Sequence, residues 1–68
     1  MVLAIGEDAT SFYSEDDNAL VEAKDYLYDQ LEDISVEDRI SIEGAESLGE
    51  IYEFCKKNDI TAYYTRQN

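Results

Sequence analysis

Apolar residues recur every three or four positions through the middle of the chain. At 100° per residue they fall within one arc about 80° wide, which is typical of the buried face of an amphipathic helix. The members of this arc are Leu20, Ala23, Leu27, Leu31 and Ile34. Ser14 is the predicted N-cap, because Asp17 follows three residues later as in a capping box. The pattern therefore predicts a first helix that runs from Ser14 to near Asp33.

Shorter patterns on either side of this helix predict strands. Residues 1–5 form an apolar run that ends at Gly6 and indicates a buried strand. Residues 9–13 fit either a loop or an extra strand paired with the first. Polar and apolar residues alternate over residues 39–43, which predicts a further strand that Gly44 ends.

A second helix and a last strand are predicted near the end of the chain. The helix covers about residues 45–57, where Lys56 and Lys57 suit the negative end of the helix dipole. Asn58 suits a left-handed terminator. Residues 60–65 are rich in β-branched and aromatic side chains and predict the strand. The inner face of the helix is predicted to comprise Leu48, Ile51, Tyr52 and Cys55.

These elements predict a small α/β fold in one domain, residues 1–68. The expected order is strand, helix, strand, helix, strand, with the extra strand at residues 9–13 left open. Helices that connect strands imply at least some parallel pairing through right-handed crossovers. Two helices packed on one face of a three- or four-stranded sheet would form a two-layer sandwich.

The charge of the chain limits the classes of ligand that it can bind. Seventeen acidic residues face five basic ones, which gives a net charge of −12 at pH 7. DNA, RNA and anionic membranes are polyanionic, so this charge argues against them as direct ligands and favours a basic partner. A hydrophobic content of 44%, with six Tyr and two Phe, argues against disorder. Adaptation to high salt is another source of acidity, but the many Ile and Tyr residues argue against it.

Groups that carry common enzyme chemistry are scarce. The chain has no His, and its three Gly occur in no phosphate-binding pattern. Cys55 falls on the predicted inner face of the second helix, which favours a buried structural thiol. A lone Cys also suits a reducing cytoplasm, and no apolar stretch is long enough to cross a membrane. We therefore expect a non-catalytic cytoplasmic protein without a metal ion or cofactor.

One side of the predicted first helix carries a series of carboxylates that we call the acidic stripe. Its members lie within an arc of about 100° on the side away from the apolar arc. At a rise of about 1.5 Å per residue the stripe would be about 27 Å long. Carboxylates three or four residues apart lie about 5–6 Å from each other, close to the spacing of successive phosphates on a nucleic-acid strand. The acidic stripe comprises Glu15, Glu22, Asp25, Asp29, Glu32 and Asp33.

Two interpretations of the acidic stripe remain open. It is either an over-charged solvent face that keeps a small protein soluble, or a mimic of a phosphate backbone that binds a basic protein. Like charges at this spacing destabilise a helix by a few tenths of a kcal/mol per pair, and Lys24 is the only base on this helix. In the second interpretation Tyr26, beside the stripe, also contacts the partner. A secondary partner-binding set on the second helix would be Glu46, Glu50 and Glu53.

In length, charge and acidic stripe, the chain resembles small acidic anti-defence proteins of phages. These include anti-CRISPR proteins and DNA mimics that inhibit restriction or repair enzymes. The resemblance implies stoichiometric inhibition in a bacterial host cytoplasm, with the protein in the basic guide-RNA or target-DNA channel of an effector. Its carboxylates would pair with Lys and Arg, exclude the nucleic acid, and bind less well as salt rises.

The second hypothesis is a protein interaction module, such as an antitoxin or an adaptor, that does not mimic nucleic acid. An unpaired last strand over residues 60–65, with Tyr63 exposed, would give it a sheet edge for docking. Binding that barely changes with salt would favour the module. The oligomeric state is open, because small sheets leave free edges while the like charge opposes association.

Overall fold

Three strands and three helices make up the part of the chain that the structure describes. This structure is a computed structural model, and it describes residues 1–31 and 33–65. Along the chain the order is two strands, three helices and a last strand. The elements are β1 (Val2–Ile5), β2 (Thr10–Tyr13), α1 (Ala19–Gln30), α2 (Val36–Glu43), α3 (Leu48–Lys57) and β3 (Ala62–Thr65).

The sheet is antiparallel, with β1 between β2 and β3. The extra strand that the sequence allows at residues 9–13 is therefore present as β2. It forms a hairpin with β1 through a turn in which Gly6 has a φ of +82° and Ala9 a φ of +52°. The predicted parallel pairing is wrong. It rested on a strand between two helices, and the chain instead passes from β2 through three helices to β3.

The strand predicted at residues 39–43 is instead the second half of α2. In a strand Ile40 and Ile42 would share one face, whereas in a helix they lie about 200° apart. Ile42 is fully buried and Ile40 is 66% exposed, in agreement with a helix. The Ser35 hydroxyl accepts a hydrogen bond of 3.1 Å from the Asp38 N–H and so caps the start of α2. This cap lies before residues 39–43, the segment whose alternation predicts a strand.

The first helix is shorter than predicted at both ends, because α1 covers Ala19–Gln30. Ser14 does not cap it. The Ser14 hydroxyl accepts a hydrogen bond of 3.0 Å from the Met1 amine, and the Ser14 N–H donates to the Met1 carbonyl at 2.9 Å. These contacts extend the β1–β2 hairpin by one residue pair. A turn follows in which the Asp16 carboxylate accepts from the Asn18 N–H at 2.9 Å.

The second predicted helix is α3, which begins at Leu48 rather than at residue 45. Ser47 caps it by accepting a hydrogen bond of 3.3 Å from the Glu50 N–H. The predicted terminator Asn58 has a φ of −108°, and it is Asp59 that adopts the left-handed conformation, with a φ of +58°. The Asn58 side-chain amide instead donates to the Phe54 carbonyl at 2.9 Å and closes the last turn.

Two layers enclose one core. α1 and α3 pack on the inner face of the sheet, and α2 packs against α3. The predicted inner faces are confirmed at Ala23 and Leu27 of α1 and at Ile51 and Cys55 of α3, all of which are fully buried. The outer face of the sheet, which we call the open sheet face, has no helix of the described residues on it. It comprises Val2, Ala4, Ser11, Tyr13, Tyr63 and Thr65, which are half-buried or exposed.

Cys55 is a buried structural thiol, as its position on the helix predicted. Burial raises the pKa of the Cys55 thiol from 9.0 to about 11, because the thiolate would be poorly solvated in the core. The folded protein therefore holds this proton to higher pH than the unfolded chain does.

Stability should consequently decline as pH rises from 9 towards 11, the range between the unfolded and folded pKa values of Cys55. In this range the unfolded chain loses the thiol proton before the folded protein does, so each pH unit costs up to about 1.4 kcal/mol in the free energy of unfolding. Urea titrations at stepped pH measure this loss. A Cys55→Ala variant should show a flatter pH profile, and an unchanged profile would contradict the assignment.

Candidate acidic interface

Charge is segregated from the sheet. The three strands contain no charged residue, so the acidic residues of the described chain lie on the helices and in the connections. The open sheet face consequently presents only apolar, hydroxyl and phenol groups to solvent. Acids are concentrated on the helical layer and at the ends of the strands.

Three members of the acidic stripe lie on α1, namely Glu22, Asp25 and Asp29, and we call them the α1 carboxylates. All are exposed, while Ala23 and Leu27 of the same helix are buried. Successive α1 carboxylates are three and four residues apart, so neighbours lie about 5–6 Å from each other. From first to last the helical rise is about 10 Å. The structure thus brings these three together on one solvent face.

The remaining members of the acidic stripe do not continue this line on a helix. Glu15 lies in the turn before α1, and Asp33 follows its end, although both are exposed. The predicted 27 Å helical line is therefore not formed, because Ser14 is used in the hairpin and not as a helix cap. The prediction for Glu32 lies outside the described residues.

The base on α1 is engaged away from the α1 carboxylates. The Lys24 ammonium donates a hydrogen bond of 2.9 Å to the Glu43 backbone carbonyl at the end of α2. It thereby satisfies part of the negative C-terminal end of α2, which cations stabilise. Lys56 of α3 lies over the Tyr52 ring, with its nitrogen 5.9 Å from the ring centre. Neither contact places a cation among the α1 carboxylates.

Tyr26 contributes to internal packing more than the sequence predicted. It is half-buried, and its ring meets Phe12 edge-on with centroids 5.8 Å apart. Its hydroxyl donates to the Ile5 carbonyl at 3.4 Å and lies where a side chain at Gly6 would be. Only part of the ring therefore remains for a partner.

Tyr28, on the other flank of the α1 carboxylates, is also half-buried. Its hydroxyl donates a hydrogen bond of 2.7 Å to the Glu43 carboxylate. Partial burial and the adjacent Glu43 carboxylate raise the pKa of Tyr28. With Lys24, this hydrogen bond ties α1 to the C-terminal end of α2.

The secondary set is split between a loop and a helix. Glu50 and Glu53 are exposed on α3, whereas Glu46 precedes the helix and donates its N–H to the Glu50 carboxylate. This contact resembles a capping box, with the carboxylate reaching back over the helix start. An open cavity of about 560 Å³ beside Glu50 and Glu53 is also lined by Ser41, Phe54, Lys56 and Lys57. The secondary set therefore lies among both acidic and basic side chains, unlike the α1 carboxylates.

Sequence reasoning missed a further arrangement of acids around β2. Glu7 and Asp8 precede this strand and Glu15 and Asp16 follow it, all exposed. The signal was present as an acidic pair, Glu7 and Asp8, and an acidic triplet, residues 15–17, on either side of an uncharged run. These acids flank a sheet edge only because residues 10–13 form a strand at the edge of the sheet, and the sequence alone does not show that position.

Two kinds of feature are absent from the described residues. Within residues 1–31 and 33–65, no three or more His, Cys, Asp and Glu side chains are placed to hold a metal ion. In the same part of the chain, no helix combines the length and the apolar character that spanning a membrane requires.

Comparison with known proteins gave no match. No family model, no curated protein and no solved structure matches this chain.

Proposed function

We propose that the protein is a non-catalytic inhibitor that mimics the phosphate charge of a nucleic acid. Its target would be a nucleic-acid-binding host defence complex, such as a CRISPR effector, in the bacterial cytoplasm. One observation carries the proposal: three exposed carboxylates share one face of α1, and Lys24 of the same helix is hydrogen-bonded to the Glu43 backbone carbonyl, away from them.

The mechanism follows from spacing and charge. Carboxylates about 5–6 Å apart can form ion pairs with the same Lys and Arg side chains that otherwise bind successive phosphates. The net charge of −12 attracts a basic groove over a distance and raises the rate of encounter. The α1 carboxylates span only about 10 Å, so they would replace a few phosphates. Acids in the connections, Glu15 and Asp33 among them, would extend the contact.

The test is to immobilise the protein, pass over it a purified guide-RNA effector and a purified restriction enzyme, and elute with rising salt. We expect a basic effector to bind at low salt and to elute as salt rises, because counter-charges screen the pairs. In a gel-shift assay the protein should displace the target DNA of that effector at a stoichiometric ratio.

A charge-matched control and a defined opposite result make the test decisive. Ovalbumin or another acidic protein of unrelated fold, immobilised at equal charge, should bind less tightly. If the effector stays bound at high salt, or if target DNA remains bound beside saturating protein, phosphate mimicry is wrong.

A second candidate function is the interaction module that docks through a sheet edge. β3 lies at one edge of the sheet, and Tyr63 is 65% exposed on the open sheet face. Edge strands offer unpaired backbone groups to a partner, and exposed Tyr side chains are common at interfaces. Binding of this kind would persist at salt concentrations that release the basic effector.

A further inference from the structure

The outer edge of β2 presents backbone groups that the sheet does not use. The Ser14 N–H bonds to the Met1 carbonyl, which sets the alternation of the β1–β2 ladder. Thr10 and Phe12 therefore exchange hydrogen bonds with β1, while the N–H groups of Ser11 and Tyr13 point away from it. The Ser11 carbonyl also points outward.

This edge is accessible to a partner. Ser11 and Tyr13 are exposed, in contrast to Phe12, which is buried. The Tyr13 carbonyl already accepts a hydrogen bond of 3.0 Å from the Asp16 N–H, so pairing would centre on Ser11. Natural edge strands commonly carry a charge, a Pro or a bulge that prevents such pairing, and β2 has neither a charge nor a Pro.

The charges around β2 indicate which kind of partner its edge would bind. Glu7 and Asp8 lie at one end of the strand, and Glu15 and Asp16 lie at the other. A second copy of the chain that paired through β2 would bring acids against acids, in either strand direction. An extended segment with Lys or Arg on both sides of an uncharged centre would instead place opposite charges together at both ends.

We propose that the β2 edge binds an extended segment of a basic protein by strand addition. Uncharged residues of the segment pair with the backbone at Ser11, and flanking Lys or Arg residues reach the acids at both ends of β2. The proposal rests on the proposed function only in that the partner is basic. It adds a directional contact that phosphate mimicry by α1 does not supply.

The test uses the full chain labelled with ¹⁵N and a synthetic peptide with alternating Thr and Val at its centre and two Lys at each end. We expect the largest amide shifts at Ser11 and Tyr13. Ser11→Pro removes the outward N–H and leaves the β1–β2 ladder intact, since Pro is tolerated where its nitrogen faces solvent. It should weaken the peptide Kd about fivefold or more, as for one lost backbone hydrogen bond.

Two controls separate the edge from other effects. Ser11→Ala retains the N–H and should change Kd by less than about twofold. Peptides N-methylated on all Val or on all Thr keep their charge, and one of the two should lose binding, because alternate N–H groups face the edge. This arm uses the unchanged protein and so does not depend on the folding of a variant.

The proposal is overturned if both methylated peptides bind as well as the parent, or if the shifts fall on α1 or β3. Shifts at Ser11 and Tyr13 that grow with protein concentration alone would assign the edge to a second copy and also overturn it. Displacement of DNA from an effector without peptide binding at β2 contradicts only this inference. Peptide binding at β2 without displacement contradicts only the proposed function.

Discussion

Reversing the α1 carboxylates, by Glu22→Lys, Asp25→Lys and Asp29→Lys together, should weaken binding to the basic effector at least about 100-fold. Three surface charge pairs at about 1 kcal/mol each give roughly 3 kcal/mol, and the new Lys residues add repulsion. Kd measured at low salt by surface plasmon resonance tests this. The loss should appear partly in the association rate, because the same charges steer the encounter.

A loss of folding would not explain this result. The three new Lys residues repel one another about as much as the α1 carboxylates did, and all three positions are exposed. A matched variant with Glu37→Lys, Asp38→Lys and Asp59→Lys has the same net charge, with the changes away from α1. It should weaken binding less than about tenfold. Equal losses in the two variants would show that net charge, and not the α1 face, drives binding.

Leu27→Ala should leave most of the protein unfolded at 37 °C. Leu27 is fully buried on α1 between the sheet and α3, and truncating a buried Leu costs about 2–5 kcal/mol. A core in a chain of this size supplies only about 3–5 kcal/mol in total. Urea or thermal denaturation followed by circular dichroism measures the free energy of unfolding directly.

The same helix offers a control for this prediction. Val21 is 60% exposed, so Val21→Ala should change the free energy of unfolding by less than about 0.5 kcal/mol. Added salt should partly restore Leu27→Ala, because it screens the self-repulsion of a chain with a net charge of −12. A Leu27→Ala variant as stable as Val21→Ala would mean that α1 does not pack as described.

Short-range pattern predicted the core better than it predicted element boundaries. Most apolar positions of α1 and α3 are predicted correctly, since their spacing of three and four is set by helix geometry alone. The exception on α3 is Phe54, which is buried, whereas Tyr52, predicted on the inner face, is half-buried. Residues 39–43 were assigned wrongly, because five residues of alternation fit a strand while the helix cap at Ser35 lay outside that window. Ile40, exposed and apolar, made the helical pattern of α2 weak.

The sequence predicted only part of the candidate acidic interface, again because it shows short-range pattern alone. Residues that point outward from a helix can be listed once the helix is known, and the α1 carboxylates are such residues. Glu15 was placed on the same line through a supposed cap at Ser14, whose hydroxyl instead meets the Met1 amine, 13 residues away in the chain. Tyr26 was expected beside the stripe, but its contacts with Phe12 and Ile5 come from the sheet.

By itself the sequence determined the net charge, the apolar faces of the two helices that cover the sheet, and the separation of charged from uncharged segments. These properties depend on residues that are near neighbours along the chain. Only the tertiary structure decided that the sheet is antiparallel, that Lys24 binds a carbonyl of α2, and that β2 is an edge flanked by acids. Those outcomes depend on which of several distant groups completes each hydrogen bond, and local pattern does not contain that choice.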